Sequence, residues 1–297
     1  MLPCGQHPGP LSRHEAVLVV ATGHSARDVY RFLQDAGVRL EAKGLALGVR
    51  IEHPQPLINA IQYGKAATHP KLTAASYRIV ENVDGRGVFS FCMCPGGFVV
   101  PASTDAHGLV VNGMSLKRRD SPFANSGLVV QVDVEDALAA GHSGPFATLE
   151  VQARIEAAAK VAGGGTLRAP AVRAADFLRG AISSTLPATS HQPGIAPANL
   201  VAVLDAGGVP LSGKLSRALA VFGRQMSGYA GSDAVLIGVE TRTSAPVRVP
   251  REPSTLMSPD VVGLYPAGEG AGYAGGIVSA ALDGVRVARA IGARSAG

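Results

Sequence analysis

The sequence predicts an α/β protein in which a mixed α+β segment is interposed between two strand–turn–helix units. Three observations predict it. An apolar run of strand length, Ala16 to Ala21, leads through Thr22 and Gly23 into a helix-spaced segment. A second strand, Gly263 to Ala267, leads through a glycine-rich turn into a terminal helix. Between them lie short β-like segments and separate helical stretches, punctuated by turn residues. The boundaries read as 1–48 for the opening unit, 49–233 for the interposed segment and 234–297 for the returning unit.

Each element follows from local chemistry. A continuous run such as AVLVVA suits a strand buried on both faces of a parallel sheet. Ser25 is placed as the N-cap of the next helix, with Asp28 as its acidic capping-box partner. Val29, Tyr30, Leu33 and Ala36 follow at helical spacing, and Gly37 supplies the stop. In open α/β sheets ligands bind beyond the carboxyl ends of the strands, which makes Thr22-Gly23 a ligand-facing turn. Strands are expected at Leu45 to Ile51, Gly87 to Cys94, Leu109 to Asn112 and Leu128 to Val134. Pro145 opens a helix from Phe146 to about Ala162, ended by three glycines. Two more helices are expected, one from Ala174 to Ile182 and one from Ser212 that carries Leu215, Leu219 and Phe222. Ser183 to Asn199 reads as a loop and Ala234 to Thr241 as a strand. The terminal helix, Gly276 to Ile291, has apolar positions at Val278, Ala281, Leu282 and Val285. Asp283, Arg286 and Arg289 occupy another face, and Gly292 caps it.

Composition narrows the class. Of 297 residues 46% are hydrophobic and 16% charged, enough for a core and against global disorder. No apolar stretch approaches the ~20 residues of a spanning helix, so no membrane association is expected. The first residues lack a signal-peptide apolar region, and three cysteines make no disulfide framework. A cytoplasmic protein is therefore expected. The net charge of +5 comes from scattered residues, with Lys117 to Arg119 the longest basic run, most simply a solvated loop. Trp is absent and no aromatic-rich RNA-binding segment accompanies the charge, so nucleic acid is not an expected partner. The sequence contains no G-x-S-x-G, no P-loop lysine and no H-E-x-x-H.

The segment Gly268 to Gly276 contains Gly270-x-Gly272-x-x-Gly275, the dinucleotide fingerprint when taken alone. That fingerprint opens a βαβ unit with an acidic residue about 20 positions on. Here only 22 residues follow Gly275, and the helix uses most of them. Two readings stand. The turn lets a helix pack closely on a sheet, or its amides at a helix N-terminus face a polar or anionic group of a ligand. In the second, Glu269 accepts hydrogen bonds from sugar-like hydroxyls.

The segment GLYPAGEGAGYAGGIVSAALDG, residues 263–284, resembles the C-terminal flavin-binding segment of a family of FAD-dependent dehydrogenases of the NAD(FAD)-utilising type. VVATGHSARDVY (19–30), LGVRIEHPQ (47–55), FSFCMCPGG (89–97), VVNGMS (110–115) and ETRTSAPVR (240–248) fit the same family in the same order. Ala245 stands where serine is expected. The family's members are longer and carry an N-terminal GxGxxG unit that holds the FAD pyrophosphate, and nothing like it precedes Ala16. The resemblance implies a partial FAD-binding Rossmann-like domain around an interposed α+β domain. It implies FAD as cofactor and flavin-dependent oxidoreduction of a small-molecule substrate. Thr22 and Gly23 would lie by the dinucleotide, and Gly268 and Glu269 by its ribityl or pyrophosphate part. Gly275, Gly276 and Ile277 would present amides near the N1 and O2 edge of the flavin ring. The alternative is a non-catalytic remnant, or a subunit that binds FAD only when a separate chain supplies the missing unit.

Three residues are catalytic candidates: Cys92, Cys94 and Arg242. Residues i and i+2 of a strand share a face, about 6.6 Å apart, near the upper limit for a disulfide. Two buried thiols, a thiol pair facing the flavin that relays electrons or adds to substrate, and a metal site compete. Two ligands without a histidine partner argue against metal. Glu240, Arg242 and Ser244 share one face, either as an internal salt bridge or as a clamp for a carboxylate substrate. Arg50 and His53 pose the same choice, and a helix-start hydrogen bond accounts for His24.

Overall fold

The computed structural model describes residues 16–295. They divide into two compact units. The described residues up to Lys43, with Ser143–Thr148 and those from Ser244 onward, form the first; Gly44–His142 and Leu149–Thr243 form the second.

The chain starts in the first unit with β1 (Leu18–Val20), α1 (Arg27–Asp35) and β2 (Glu41–Ala42). The second unit opens with β3 (Leu45–Pro54), α2 (Gln55–Tyr63), β4 (Val80–Val83) and β5 (Arg86–Cys94). Then come β6 (Gly97–Pro101), β7 (Val111–Ser115), β8 (Phe123–Val132), α3 (Val134–Ala139) and α4 (Ala147–Ala162). β9 (Ala169–Arg173), α5 (Ala174–Leu178), β10 (Ile195–Pro197), α6 (Leu200–Leu204), α7 (Leu211–Gln225) and β11 (Val235–Glu240) complete it. The chain returns to the first unit with β12 (Val247–Arg248), β13 (Leu264–Pro266) and α8 (Ile277–Ser295).

The second unit is built on a seven-stranded sheet in the order β10-β9-β11-β3-β8-β5-β4. Only the β10–β9 neighbours are parallel. β3 and β8 pair over ten residues, from Leu45↔Val132 to Pro54↔Phe123. Every residue of β3 from Leu45 to His53 is buried, so both faces of this central strand are covered, its charged residues included. α7 turns Leu215, Leu219 and Phe222 inward at i, i+4 and i+7, the spacing of one helical face. β11 was expected in the returning unit; it lies instead between β9 and β3 in this sheet. α2 forms directly after Pro54, and the segment expected as a loop, Ser183 to Asn199, contains β10.

In the first unit β1 pairs in parallel with β13, Leu18↔Leu264 through Val20↔Pro266. β2 pairs antiparallel with β12. The N-cap of α1 is Ala26, without a side-chain cap, and the Ser25 carbonyl accepts from the Arg27 amide. Ser25 is therefore not the cap. The β1 run is apolar but not covered on both faces: Val17, Leu18 and Val19 are exposed, Leu18 by 57%. Among the described residues β1 has β13 as its one partner, which leaves its other edge open. α8 runs past Gly292 to Ser295 and buries Asp283 and Val287, next to Met257, Tyr265 and Ala267. Its apolar positions point the other way, with Ile277 91%, Val278 74% and Leu282 57% exposed. Among the described residues no helix is long and apolar enough to cross a membrane.

Candidate functional site

The first unit brings the two predicted turns together. A side chain on Gly270 would stand 2.5 Å from the Gly23 carbonyl oxygen, so only glycine lets the two turns touch. The Tyr30 hydroxyl donates to the Gly270 carbonyl at 2.7 Å. Burial, and then the charge of Glu269, push that phenol's pKa up, so it stays a donor. Gly268 and Gly272 lie at φ +73° and +85°, in the left-handed region. The Gly268 amide donates to Asp283 at 2.7 Å, and Arg251 clamps the same carboxylate at 2.6 and 3.0 Å. Burial raises the Asp283 pKa, but these bonds outweigh it and hold the carboxyl below its usual range. Arg251 also lies 3.8 Å over the Tyr273 ring. Tyr30, Arg251, Tyr273 and Asp283 adjoin the glycine turn, and sequence reasoning did not select them. The signal available for Asp283 was a lone acid in a helix otherwise polar through arginine.

Glu269 is half-buried, with Oε1 3.8 Å from His24 Nε2. Lys43 and Arg248 adjoin the turn at Gly272, where a side chain would come within 3.3 Å of both. Burial and then Arg248 lower the Lys43 pKa, and Glu269 opposes them.

Gly275 and Gly276 differ from the other glycines of the turn. Neither has positive φ, and a side chain on either would meet nothing within 4 Å. The close-packing reading thus holds for Gly270 and finds no neighbour at Gly275 or Gly276. α8 begins immediately after them, and the first amides of a helix have no acceptor within it. The Gly275 amide does not join them: it donates to Ser279 Oγ at 3.2 Å. The amides available to a ligand therefore start at Gly276 and Ile277.

Cys92, Cys94 and Arg242 belong to the second unit. The β5–β8 register shifts between Phe91 and Cys94, and Cys92 adopts φ +42°. This bulge breaks the shared face expected for the two thiols. Cys92 is exposed and Cys94 buried, and neither is in a disulfide. The Cys94 thiol donates to the Cys92 carbonyl at 3.3 Å, and Arg50 Nη1 donates to the same oxygen at 2.8 Å. Arg50 is fully buried, pairs with Glu240 at 2.6 Å, and also binds Asn125 and Asn112. Burial raises the Glu240 pKa against the lowering pull of Arg50.

Arg242 is not paired with Glu240 as the period-two reading implied. Its Nε and Nη2 bind Glu156 at 3.0 Å each, and Nη1 binds Thr104 at 2.7 Å. A guanidinium engaged on all three nitrogens is built into the unit and is not posed as an open clamp. His53 Nε2 donates to the Tyr229 carbonyl at 2.7 Å, while its buried Nδ1 has no partner. Burial lowers its pKa to about 4, so the ring is neutral. Its neighbour Glu52, buried against the amide and hydroxyl of Ser190, is raised by burial to about 7.

Residues 44–243, a span that contains the whole of the second unit, match the family model described as FAD-dependent protein, C-terminal domain-like. The chain is also 47% identical over 278 residues to an uncharacterized protein of Clostridium beijerinckii. That alignment covers 92% of this chain and 51% of the relative, so the chain spans about half the relative's length.

Proposed function

The chain belongs to the FAD-dependent protein, C-terminal domain-like family, and from that premise we propose that it is the C-terminal part of a flavin-dependent oxidoreductase whose cofactor is FAD. One observation carries the reading. The glycine turn keeps two adjacent residues, Gly275 and Gly276, bare where a side chain would meet no atom within 4 Å beyond its immediate chain neighbours. A packing role needs a neighbour; a ligand role needs open space in front of helix N-terminal amides. The described residues fit the flavin on this ground. FAD, when bound, supplies hydride or electron transfer.

In this reading the Gly276 and Ile277 amides, at the positive end of the α8 dipole, stabilise negative charge on the cofactor. Thr22 and Gly23 adjoin the dinucleotide, with Gly268 and Glu269 toward its polyhydroxyl part. Asp283, Arg251 and Tyr30 hold the turn in shape. Cys92 is the better of the two thiols for redox or addition chemistry, because it is exposed while Cys94 is buried.

The partner-dependent alternative also has an observation in its favour. The exposed Val17 to Val19 strand and the exposed apolar positions of α8 form apolar surface in the cofactor-bearing unit. A segment or separate chain that supplies a neighbouring strand would cover it. The two readings combine: FAD binding requires that complement.

Gly276→Val is the test, made in the chain complemented with the region that the Clostridium relative carries outside the matched half. The substitution adds a β-branched side chain in the open space. Flavin affinity should fall at least tenfold with the apo-protein melting temperature nearly unchanged. Unchanged affinity, or a melting loss that fully accounts for the affinity loss, would remove residues 268–277 from the cofactor site.

A further inference from the structure

In the second unit an open cavity of about 670 Å³ lies between the segment 72–74 and the turn 115–119. Its volume falls within the range of small-molecule sites. The lining is chemically divided. Leu72 and Leu116 contribute apolar surface that is 41% and 51% exposed, and Met114, two residues before Leu116, is also exposed. Lys117, Arg118 and Arg119 contribute three exposed cations. Asp120 is the one acid of this run; it sits 3.9 Å from Arg118 and leaves the turn net positive. An ion pair this long and this exposed holds its cation only weakly.

The cations ride on a fixed support. The Arg119 amide closes a turn onto the Leu116 carbonyl at 3.0 Å, and Ser115 Oγ donates to the Pro95 carbonyl at 3.0 Å. Gly96 packs so tightly on this turn that a side chain there would overlap the Arg119 carbonyl. Three cations on a turn whose backbone is fixed, beside uncovered leucines, attract a ligand that carries both negative charge and hydrocarbon.

We propose that this cavity binds an anionic amphiphile, its phosphate or carboxylate head held by Lys117, Arg118 and Arg119 and its hydrocarbon laid on Leu72 and Leu116. The site is independent of the glycine turn and of the flavin reading. The shared chemistry has two sources, a free amphiphile or an anionic lipid within a bilayer, and the test separates them.

Calorimetric titration of the full chain with dodecyl phosphate, below its micelle concentration, should give saturable binding at one site. Dodecyltrimethylammonium and inorganic phosphate should each bind at least tenfold more weakly. A cation near an anionic lipid surface changes affinity about fivefold, so Lys117→Gln/Arg118→Gln should weaken binding roughly 25-fold. Leu116→Ser should weaken dodecyl phosphate binding but leave the response to phosphate alone unchanged. These side chains are exposed, so melting curves of the variants should match the parent. Co-sedimentation with phosphatidylcholine vesicles only when they contain phosphatidylglycerol, lost in the double variant, would assign the source to a bilayer. Binding of dodecyl phosphate without that co-sedimentation would assign it to a free molecule. Equal binding of the cationic amphiphile, full binding by the double variant, or no binding to either probe would overturn the proposal.

Discussion

Glu52 and His53 are adjacent on the central strand, both buried, and displaced in opposite directions. Glu52 rises from 4.5 to about 7 and His53 falls from 6.5 to about 4. Between pH 4.5 and 7 the folded protein therefore holds a proton on Glu52 that the unfolded chain has released. The stability Glu52 contributes is complete below 4.5 and is lost as pH rises through 7. His53 has the reverse sense. Below 6.5 the unfolded chain takes up a proton that the buried ring refuses, so its contribution is complete above 6.5 and is lost as pH falls through 4. Each displacement is worth about 3 kcal/mol, and over this window the two nearly cancel. Glu52→Gln removes one arm and keeps an acceptor for Ser190. Its unfolding free energy should rise from pH 4.5 to 7 about 3 kcal/mol more steeply than that of the parent. His53→Gln should show the opposite slope change of similar size. Urea unfolding of the three proteins at four pH values reads this directly, and carboxylates elsewhere contribute equally to all three. Parallel pH profiles for Glu52→Gln and the parent would refute the buried, protonated Glu52.

Two further outcomes follow from the second unit. Arg50→Met should cost about 3–5 kcal/mol, because it strands the buried Glu240 carboxylate; adding Glu240→Gln should recover a substantial part, and an additive loss in denaturant midpoints would contradict the pairing. In a Cys4→Ser background one thiol, Cys92, should react with a thiol probe in the native protein and Cys94 only on unfolding; equal rates for both would contradict the bulge geometry.

Much of this architecture was legible because it rests on local chemistry. The β3 and β8 runs are apolar enough to be recognised, and the Leu215, Leu219, Phe222 spacing marks α7. The glycine turn was recognised by composition, and its two candidate roles separate only in three dimensions: Gly270 is bare for Gly23, while Gly276 is bare toward open space. Other features depended on contacts distant in sequence. β11 carries the same apolar pattern whichever sheet it joins, so its place between β9 and β3 was not readable. Arg242 and Glu240 share a period-two face, yet each found a partner on another element, Glu156 and Arg50. The α8 stripe inverted for a physical reason: Asp283 is pulled inward by Arg251 and the Gly268 amide, and the apolar positions are left outside. The carbonyl of Cys92 in the bulge accepts from the buried Arg50, forty-two residues earlier in the chain.

The central claim is that the amides opening α8 meet the flavin. Amide hydrogen exchange of the complemented protein, with and without FAD, tests it residue by residue. Protection on FAD addition is predicted for Gly276 to Val278 and for the Thr22–His24 turn, with the Tyr265 strand and α7 unchanged. FAD bound with unaltered exchange at 276–278, or no FAD bound by the complemented protein, would contradict the account.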